Sequence, residues 1–450
     1  MNNFVQEEYY QLPDYKRTLH QWLAKGRCWH IEYQGYLSNH LTHNWVVMGG
    51  VNASEECMQQ WQDLYTNIRA KDPSKEPEDL EPPRKFPVDY TTITEANWRN
   101  NIQTTRIAFP AYRDFFDARL QKLGLSTTLR QYLPQLLPGL VGAAFHAVIH
   151  TGWATDVESI DMAGEGLAYM ATAFQPLATG NRFQPPQPLW STSGRNIIEA
   201  SLEFLNRDDI ETMIQISQEV SETEDYVRLN KGDFQQRMIT FDDPRLPLGA
   251  KLNQTGSLYM PDTSQPLTEI VEQATALIAA ALHGSDNDFF VLHGLTSLHG
   301  LLSLLPHIEP VSRREALVYW WRGVMATMVV QDLPGLEKTV KLLQEWQTKR
   351  DQENQNAYTL TKEEDDWWRD LIKSTLCSRN EHVSKATYAL WRWSAWNAFP
   401  EVTVKMFKAT AVNVVKPNPA EQIDGDLWFV KSFSDVSSNS KVGFTNRIWY

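Results

Sequence analysis

An apolar segment that carries two histidines places the strongest constraint on how this chain folds. Residues 137–156 read LPGLVGAAFHAVIHTGWATD, and His146 and His150 stand four positions apart within it. In an α-helix, side chains at i and i+4 project from one face, so the two imidazoles would point at the same place. A buried helix gains nothing from two imidazoles unless they are hydrogen-bonded or bind something. The spacing therefore predicts a core helix with a candidate metal site.

Three further patches contain histidines that could converge on the same site. They are NHLTH at 39–43, FFVLH at 289–293 and EHVSK at 381–385. His40 and His43 are three apart and share a helical face, whereas His293 and His299 are six apart and do not. We expect His293 to face the site and His299 to be structural. Taken singly, such histidines also fit hydrogen-bonded core groups, and Lys385 fits a solvated charge.

The rest of the sequence predicts an all-α protein with a single large helical domain over 1–450. Apolar residues recur at helical spacing through a core of about 30–400, and hydrophobic residues make up 42% of the chain, with 17 Trp. A proline- and charge-rich excursion at 71–90 is expected on the surface. We expect an irregular tail at 411–450, where only fragments such as LWFVKSF favour strands.

Charge and targeting signals narrow the class of protein. A net charge of −13 argues against a nucleic-acid binder, and no segment reaches the ~18 unbroken apolar residues of a membrane span. The N-terminal MNNFVQEEYYQ lacks the basic and apolar regions of a signal peptide, so we expect a cytoplasmic protein. Three widely spaced cysteines indicate no disulfide framework. Neither a phosphate-binding glycine motif nor a nucleophile elbow occurs.

Read together, the four histidine patches resemble a known family. NHLTH, HAVIHTGW, DFFVLHGLTSLHGLLSLLP and EHVSK, in this order and at these intervals, are similar to the questin oxidase family of fungal and bacterial natural-product biosynthesis. The resemblance implies an all-helical oxygenase that uses O2 on a small-molecule aromatic substrate, a fused polyketide such as an anthraquinone. The implied reaction is oxidative ring cleavage or a Baeyer-Villiger-type insertion.

The resemblance also implies a metal site. In that family the site looks like a mononuclear non-haem iron, Fe2+, held by several histidines and by a lysine N6-carboxylated with CO2. Carried over to this chain, the implied ligands are His43, His146, His150, His293 and Lys385. His40 and His382 would lie close by as catalytic, orienting groups. Which of His40 and His43 is the ligand stays open at this point.

The residue types themselves are compatible with such chemistry. Neutral imidazoles suit iron, zinc, copper or nickel, and an anionic ligand would offset the charge of a divalent ion. Glu381 is expected to cap a helix, whereas a buried Lys385 would be neutral and could capture CO2. Two other functions remain open. One is an NADPH-dependent monooxygenase without protein-bound iron, and the other is a non-catalytic helical binding protein whose histidines are hydrogen-bonded core groups.

Overall fold

The part of the chain that the structure describes is almost entirely helical, which confirms the all-α prediction. The computed structural model describes residues 14–33, 37–70, 92–102, 106–177, 196–205, 210–224, 233–242, 249, 252, 266–352, 356–376 and 381–416. Its α-helices are α1 (Asp14–Gly26), α2 (Leu41–Gly50), α3 (Glu55–Ala70), α4 (Phe109–Leu123), α5 (Leu125–Leu136), α6 (His146–Asp156), α7 (Ile160–Thr172), α8 (Ile197–Leu205), α9 (Ile210–Ser221), α10 (Asp233–Ile239), α11 (Leu267–Gly284), α12 (Phe289–Leu304), α13 (Pro310–Val330), α14 (Leu336–Gln352), α15 (Lys362–Leu376), α16 (Glu381–Ser394) and α17 (Glu401–Val415). Two short strands, β1 (Glu32–Tyr33) and β2 (Leu37–Ser38), pair antiparallel between α1 and α2.

Helix α12 lies at the centre of the helical body. It is apolar on every side, as expected of a helix that is covered all round, and it packs against α6, α11, α13 and α16. Together with its 3-10 extension, the segment Phe289–His307 is long and apolar enough to cross a membrane by length and composition, but 89% of it is buried inside the protein. That degree of burial is typical of a core helix in a soluble protein.

Helices α6 and α12 approach each other so closely that their backbones touch. A Cβ atom at Gly152 would lie 2.1 Å from the carbonyl oxygen of Gly300, closer than any side chain permits. The two glycines therefore set the distance between these helices, and α6 and α12 form the most extensive helix pair of the described residues. Each helix carries one or more of the predicted site histidines.

Two of the predicted boundaries are wrong. The helix expected over 137–156 begins only at His146, because Ala143, Ala144 and Phe145 have left-handed φ values of 50°, 51° and 67°. The irregular tail does not begin at 411 as expected, since α17 continues to Val415. The excursion at 71–90 and the tail beyond 416 lie outside the described residues. A single domain over 1–450 stays a prediction, although one buried apolar cluster runs from Leu19 to Val414.

Candidate metal centre

Four imidazoles from distant parts of the chain meet in the core. His40 directly precedes α2, His146 begins α6, His293 lies in α12 and His382 lies in the first turn of α16. One ligand atom from each ring lies within 4.8 Å of those of the other three, and all four residues are buried. Helix α2 packs against α6 and α16, and α12 packs against the same two helices, which brings the four rings together.

Hydrogen bonds at Nδ1 fix the tautomer of three of these rings. His40 donates its Nδ1 proton to Oε1 of Glu381 at 2.7 Å. His146 and His293 donate theirs to backbone carbonyl oxygens three and four residues earlier, each at 2.6 Å. Since a carbonyl or a carboxylate oxygen can only accept, each neutral ring keeps its proton on Nδ1 and presents the lone pair of Nε2.

The three Nε2 lone pairs face one another. Nε2 of His146 lies 2.6 Å from Nε2 of His40 and 3.0 Å from Nε2 of His293. Lone pairs at such distances repel unless a cation lies between them. Two nitrogens bound to one metal ion at about 2.0–2.1 Å lie roughly 3 Å apart, so the arrangement suits a metal ion.

A proton is a poor alternative to the metal. Burial, together with the nearby positive charge of Lys385, lowers the pKa of His40 and His293 well below the ordinary value of 6.5 and that of His146 to about 3. The rings are therefore neutral near pH 7. The neutral form of imidazole is the one that binds a divalent ion. The donor set of the four-histidine group fits a transition metal.

Lys385 lies beside this group and is completely buried. Its Nζ has no hydrogen-bond partner among the described residues. Burial lowers the pKa of Lys385 to about 7, although Glu381 acts in the opposite direction. A substantial fraction of this side chain is therefore an uncharged amine at neutral pH, which is the reactive form.

His43 and His150 form a second pair next to the four-histidine group. Nε2 of His43 lies 3.2 Å from Nδ1 of His150, so one ring donates to the other. The rings of His43 and His40 are 5.6 Å apart. Nε2 of His150 lies 3.7 Å from Oε2 of Glu165, too far for a hydrogen bond.

The structure thus groups the predicted site residues differently from the family carry-over. His146 and His293, expected as ligands, meet His40 and His382, which were expected as orienting groups. His43 and His150, also expected as ligands, face each other. Lys385 lies near both sets, since its charge acts on the pKa of His40 and of His43. The ligand set implied by the family resemblance stays a prediction. The set of His40, His146, His293 and His382 is the one that we propose from the geometry.

Two features of the centre were not predicted from the sequence. The first is the left-handed turn at 143–145, whose carbonyl at Ala143 accepts the Nδ1 proton of His146. Non-glycine residues in this conformation cost about 1–2 kcal/mol each, and such strain tends to occur at functional sites. The second is the role of Glu381, expected as a helix cap, whose carboxylate orients His40. Its position next to His382 was the available signal.

Aromatic side chains close one side of the centre. The ring of Phe289 lies 4.5 Å from that of His293 and 4.7 Å from that of His382. Phe290, the next residue, stacks on Phe234 of α10 with ring centroids 3.8 Å apart. This apolar wall keeps water away from the rings.

Comparison with known proteins supplies the family. A family model described as questin oxidase-like matches residues 37–390, a range that includes the four-histidine group, the His43–His150 pair and Lys385. No curated protein matches the chain. The match covers more than half of the 450 residues. The chain belongs to the questin oxidase-like family.

Proposed function

We propose that this protein is a cytoplasmic, iron-dependent oxygenase that uses O2 on an aromatic or polycyclic, anthraquinone-like metabolite, by ring cleavage or Baeyer-Villiger-type insertion. Its family suggests an oxidoreductase of secondary metabolism that acts on small molecules. One observation carries the proposal. The Nε2 lone pairs of His40, His146 and His293 meet at 2.6 and 3.0 Å in an interior that disfavours their protonation.

The residues that would hold the ion are His40, His146, His293 and His382. Ferrous iron, when bound, supplies one-electron redox chemistry towards O2. The protein's own part is to hold the rings in position. Glu381 and the two backbone carbonyls keep the Nδ1 protons of His40, His146 and His293 in place, so the Nε2 atoms of these three rings remain available as ligand atoms.

Carboxylation of Lys385 would supply the anionic donor that four neutral imidazoles lack. A bond forms between the neutral Nζ and the carbon of CO2, and one proton leaves the nitrogen, so an amine becomes a carbamate. Support comes from the complete burial of Lys385 and from a pKa of about 7, which makes the amine available. The change would also remove the positive charge that lowers the pKa of the neighbouring imidazoles.

The apolar wall suggests how a polycyclic substrate would be held. Phe289 contacts the rings of His293 and His382, so a planar molecule stacked beside it would lie against the metal ligands. Stacking on aromatic rings and exclusion of water both favour a fused aromatic substrate over a small polar one.

Two alternative functions are separated from this one by their metal content. A monooxygenase that uses NADPH without iron, or a binding protein that has lost catalysis, would leave three lone pairs facing each other with no cation between them. NADPH as the source of electrons for an iron enzyme is compatible with the proposal.

Metal analysis and O2 consumption test the proposal together. Protein produced with iron in the medium should contain about one iron per chain, and removal of the iron by a chelator should abolish O2 uptake with a hydroxyanthraquinone. A fully metal-free preparation that still oxidises the substrate with NADPH would contradict it. A preparation that contains no metal and has no activity would favour the binding protein.

A further inference from the structure

An arginine that the metal centre does not use is buried in α13, and two of its nitrogens have no partner among the described residues. Arg322 is 3% exposed, and its Nε and one terminal nitrogen are fully buried with no hydrogen-bond acceptor in the described part of the chain. Two half-buried arginines differ from it. Arg350 donates to both carboxylate oxygens of Glu272, and Arg313 on the same helix donates to the carbonyl oxygen of Ile308.

The charge of Arg322 persists despite its burial. Burial lowers the pKa of Arg322 to about 10, which leaves the guanidinium protonated at neutral pH. The group that acts on it is Tyr319, one turn earlier, whose own pKa is raised by burial, so this phenol is neutral. A buried cation without an anion is strongly unfavourable in a folded protein. No carboxylate of the described residues acts on the pKa of Arg322, so an anionic ligand would supply the missing counter-charge.

Two other residues of α13, Trp320 and Gly323, contact chain neighbours of the proposed metal ligands. Trp320 donates its indole proton to the carbonyl oxygen of Gly294, the residue after His293, at 3.0 Å. Gly323 lies against the ring of Phe145, the residue before His146: a Cβ there would be 2.7 Å from the ring. The helix that carries Arg322 thus contacts the immediate neighbours of two of the proposed metal ligands.

A second unpaired donor lies on an adjacent helix. Gln235 of α10 accepts the backbone N–H of Ala144 with Oε1 at 3.3 Å, whereas its Nε2 is buried and has no partner among the described residues. Helix α10 packs against α13. An unpaired guanidinium and an unpaired amide are therefore on two helices that meet at the strained turn before His146.

We propose that Arg322, assisted by Gln235, binds an oxyanion of the substrate, a carboxylate or an ionised phenol, and so places the polycycle beside the metal centre. The proposal rests on the proposed function and narrows its substrate class to anionic polycyclic compounds. A guanidinium offers a planar set of donors that matches a carboxylate, and such charge-assisted bonds are the strong ones.

The test compares two probes that differ in one charge, anthraquinone-2-carboxylate and 2-methylanthraquinone. Their binding to wild type, Arg322→Met, Arg322→Lys and the control Arg313→Met is measured by quenching of tryptophan fluorescence. Arg322→Met should lose about 10- to 100-fold in affinity for the carboxylate and little for the methyl compound. Arg322→Lys should retain part of the preference, and Arg313→Met all of it.

Thermal unfolding without ligand gives a second readout that needs neither substrate nor metal. Because methionine removes an unpaired buried charge, Arg322→Met should melt at a higher temperature than wild type. A lower melting temperature would mean that Arg322 is paired in the free protein, which overturns the proposal. Loss of NADPH binding in Arg322→Met would assign the cation to a cofactor phosphate and would also overturn it.

Metal content measured on the same preparations separates the two proposals. Protein that contains iron but shows no preference for the carboxylate, or binds neither probe, has no anion site at Arg322. Protein that prefers the carboxylate but binds no metal retains the anion site and loses the oxygenase function.

Discussion

His40 and His43 are three residues apart, and their hydrogen bonds give them different roles. Glu381 accepts the Nδ1 proton of His40, so Nε2 of His40 faces His146. Nε2 of His43 faces His150 instead. Helical spacing places both rings on one face and cannot distinguish them, which is why the sequence left the choice of ligand open. The tautomer of His40, fixed from outside the patch by Glu381 of α16, supports His40 as the proposed ligand.

Replacement of each histidine by alanine tests this assignment. His40→Ala removes a ring from the four-histidine group and should abolish stoichiometric metal binding, whereas His43→Ala should retain most of the metal. Metal content after gel filtration measures both, with helix content by circular dichroism as the check on folding. His283→Ala, half-buried at the end of α11, is the matched control. Metal lost from His43→Ala and retained in His40→Ala would restore the ligand set implied by the family.

Substitution of Lys385 by methionine tests the carbamate. Methionine fills a similar volume but cannot capture CO2, so the site loses its proposed anionic donor and should bind metal more weakly. Acetate or formate in solution should restore part of the binding by occupying the vacated position. Lys338→Met is the control: it removes an exposed lysine that pairs with Asp286, and its metal affinity should equal that of the wild type. Unchanged metal affinity in Lys385→Met would assign this lysine no role at the centre.

At the scale of helices, the crossing of α6 and α12 sets the geometry of the centre. His146 and His293 lie on these two helices, and the contact between Gly152 and Gly300 leaves no room for a side chain. The C-terminal end of α6 is also fixed to α16, since Oδ2 of Asp156 accepts from Arg392 at 2.9 Å and from Tyr388 at 3.1 Å. Small shifts of α6 would therefore move His146 away from the other rings.

Gly152→Ala should separate the two helices. A methyl group at 2.1 Å from a backbone oxygen cannot be accommodated by a side-chain rotation, so we expect a loss of about 2–3 kcal/mol in the free energy of unfolding and weaker metal binding. Denaturant unfolding and metal titration measure the two effects. Gly294→Ala, on α12 itself, meets the flexible end of Ile278 at 2.7 Å and should cost less. Equal stability of Gly152→Ala and wild type would show that the crossing is not tight.

The sequence predicted the elements better than their ends. Histidine spacing and apolar periodicity were sufficient for buried helices at His146, His293 and His382, because both depend on neighbours along the chain. The left-handed turn at 143–145 was missed, because it depends on packing from elsewhere: a Cβ at Gly142 would lie 1.6 Å from the carbonyl oxygen of Ala173. The partner of a donor such as Gln235 depends on tertiary structure in the same way.

At the scale of the whole molecule, the buried basic groups link folding to pH. The folded protein holds His40, His43, His146 and His293 with pKa values below the ordinary 6.5, and Lys385 with a pKa of about 7 in place of 10.5. The unfolded chain would bind protons at all of these groups. Asp288 acts in the opposite sense, since burial raises its pKa to about 6 and its folded form retains a proton.

Stability of the metal-free protein should therefore fall as the pH decreases. Each imidazole with a lowered pKa contributes up to about 1.4 kcal/mol per pH unit below pH 6.5, and together the buried imidazoles outweigh the carboxyls whose pKa is raised, namely Asp117, Asp288 and Glu315. The contribution of Lys385 to the free energy of unfolding is lost as the pH falls from 10.5 to about 7, because in this range only the unfolded chain is protonated at this position.

Urea unfolding in the presence of a chelator, from pH 9 to pH 5, measures how the free energy of unfolding changes with pH. His146→Gln should flatten the acidic part of this profile and Lys385→Met its alkaline part, because each removes a group whose proton is taken up only on unfolding. A flat profile in the wild type would mean that these rings are solvated, and then no cation would be needed between them.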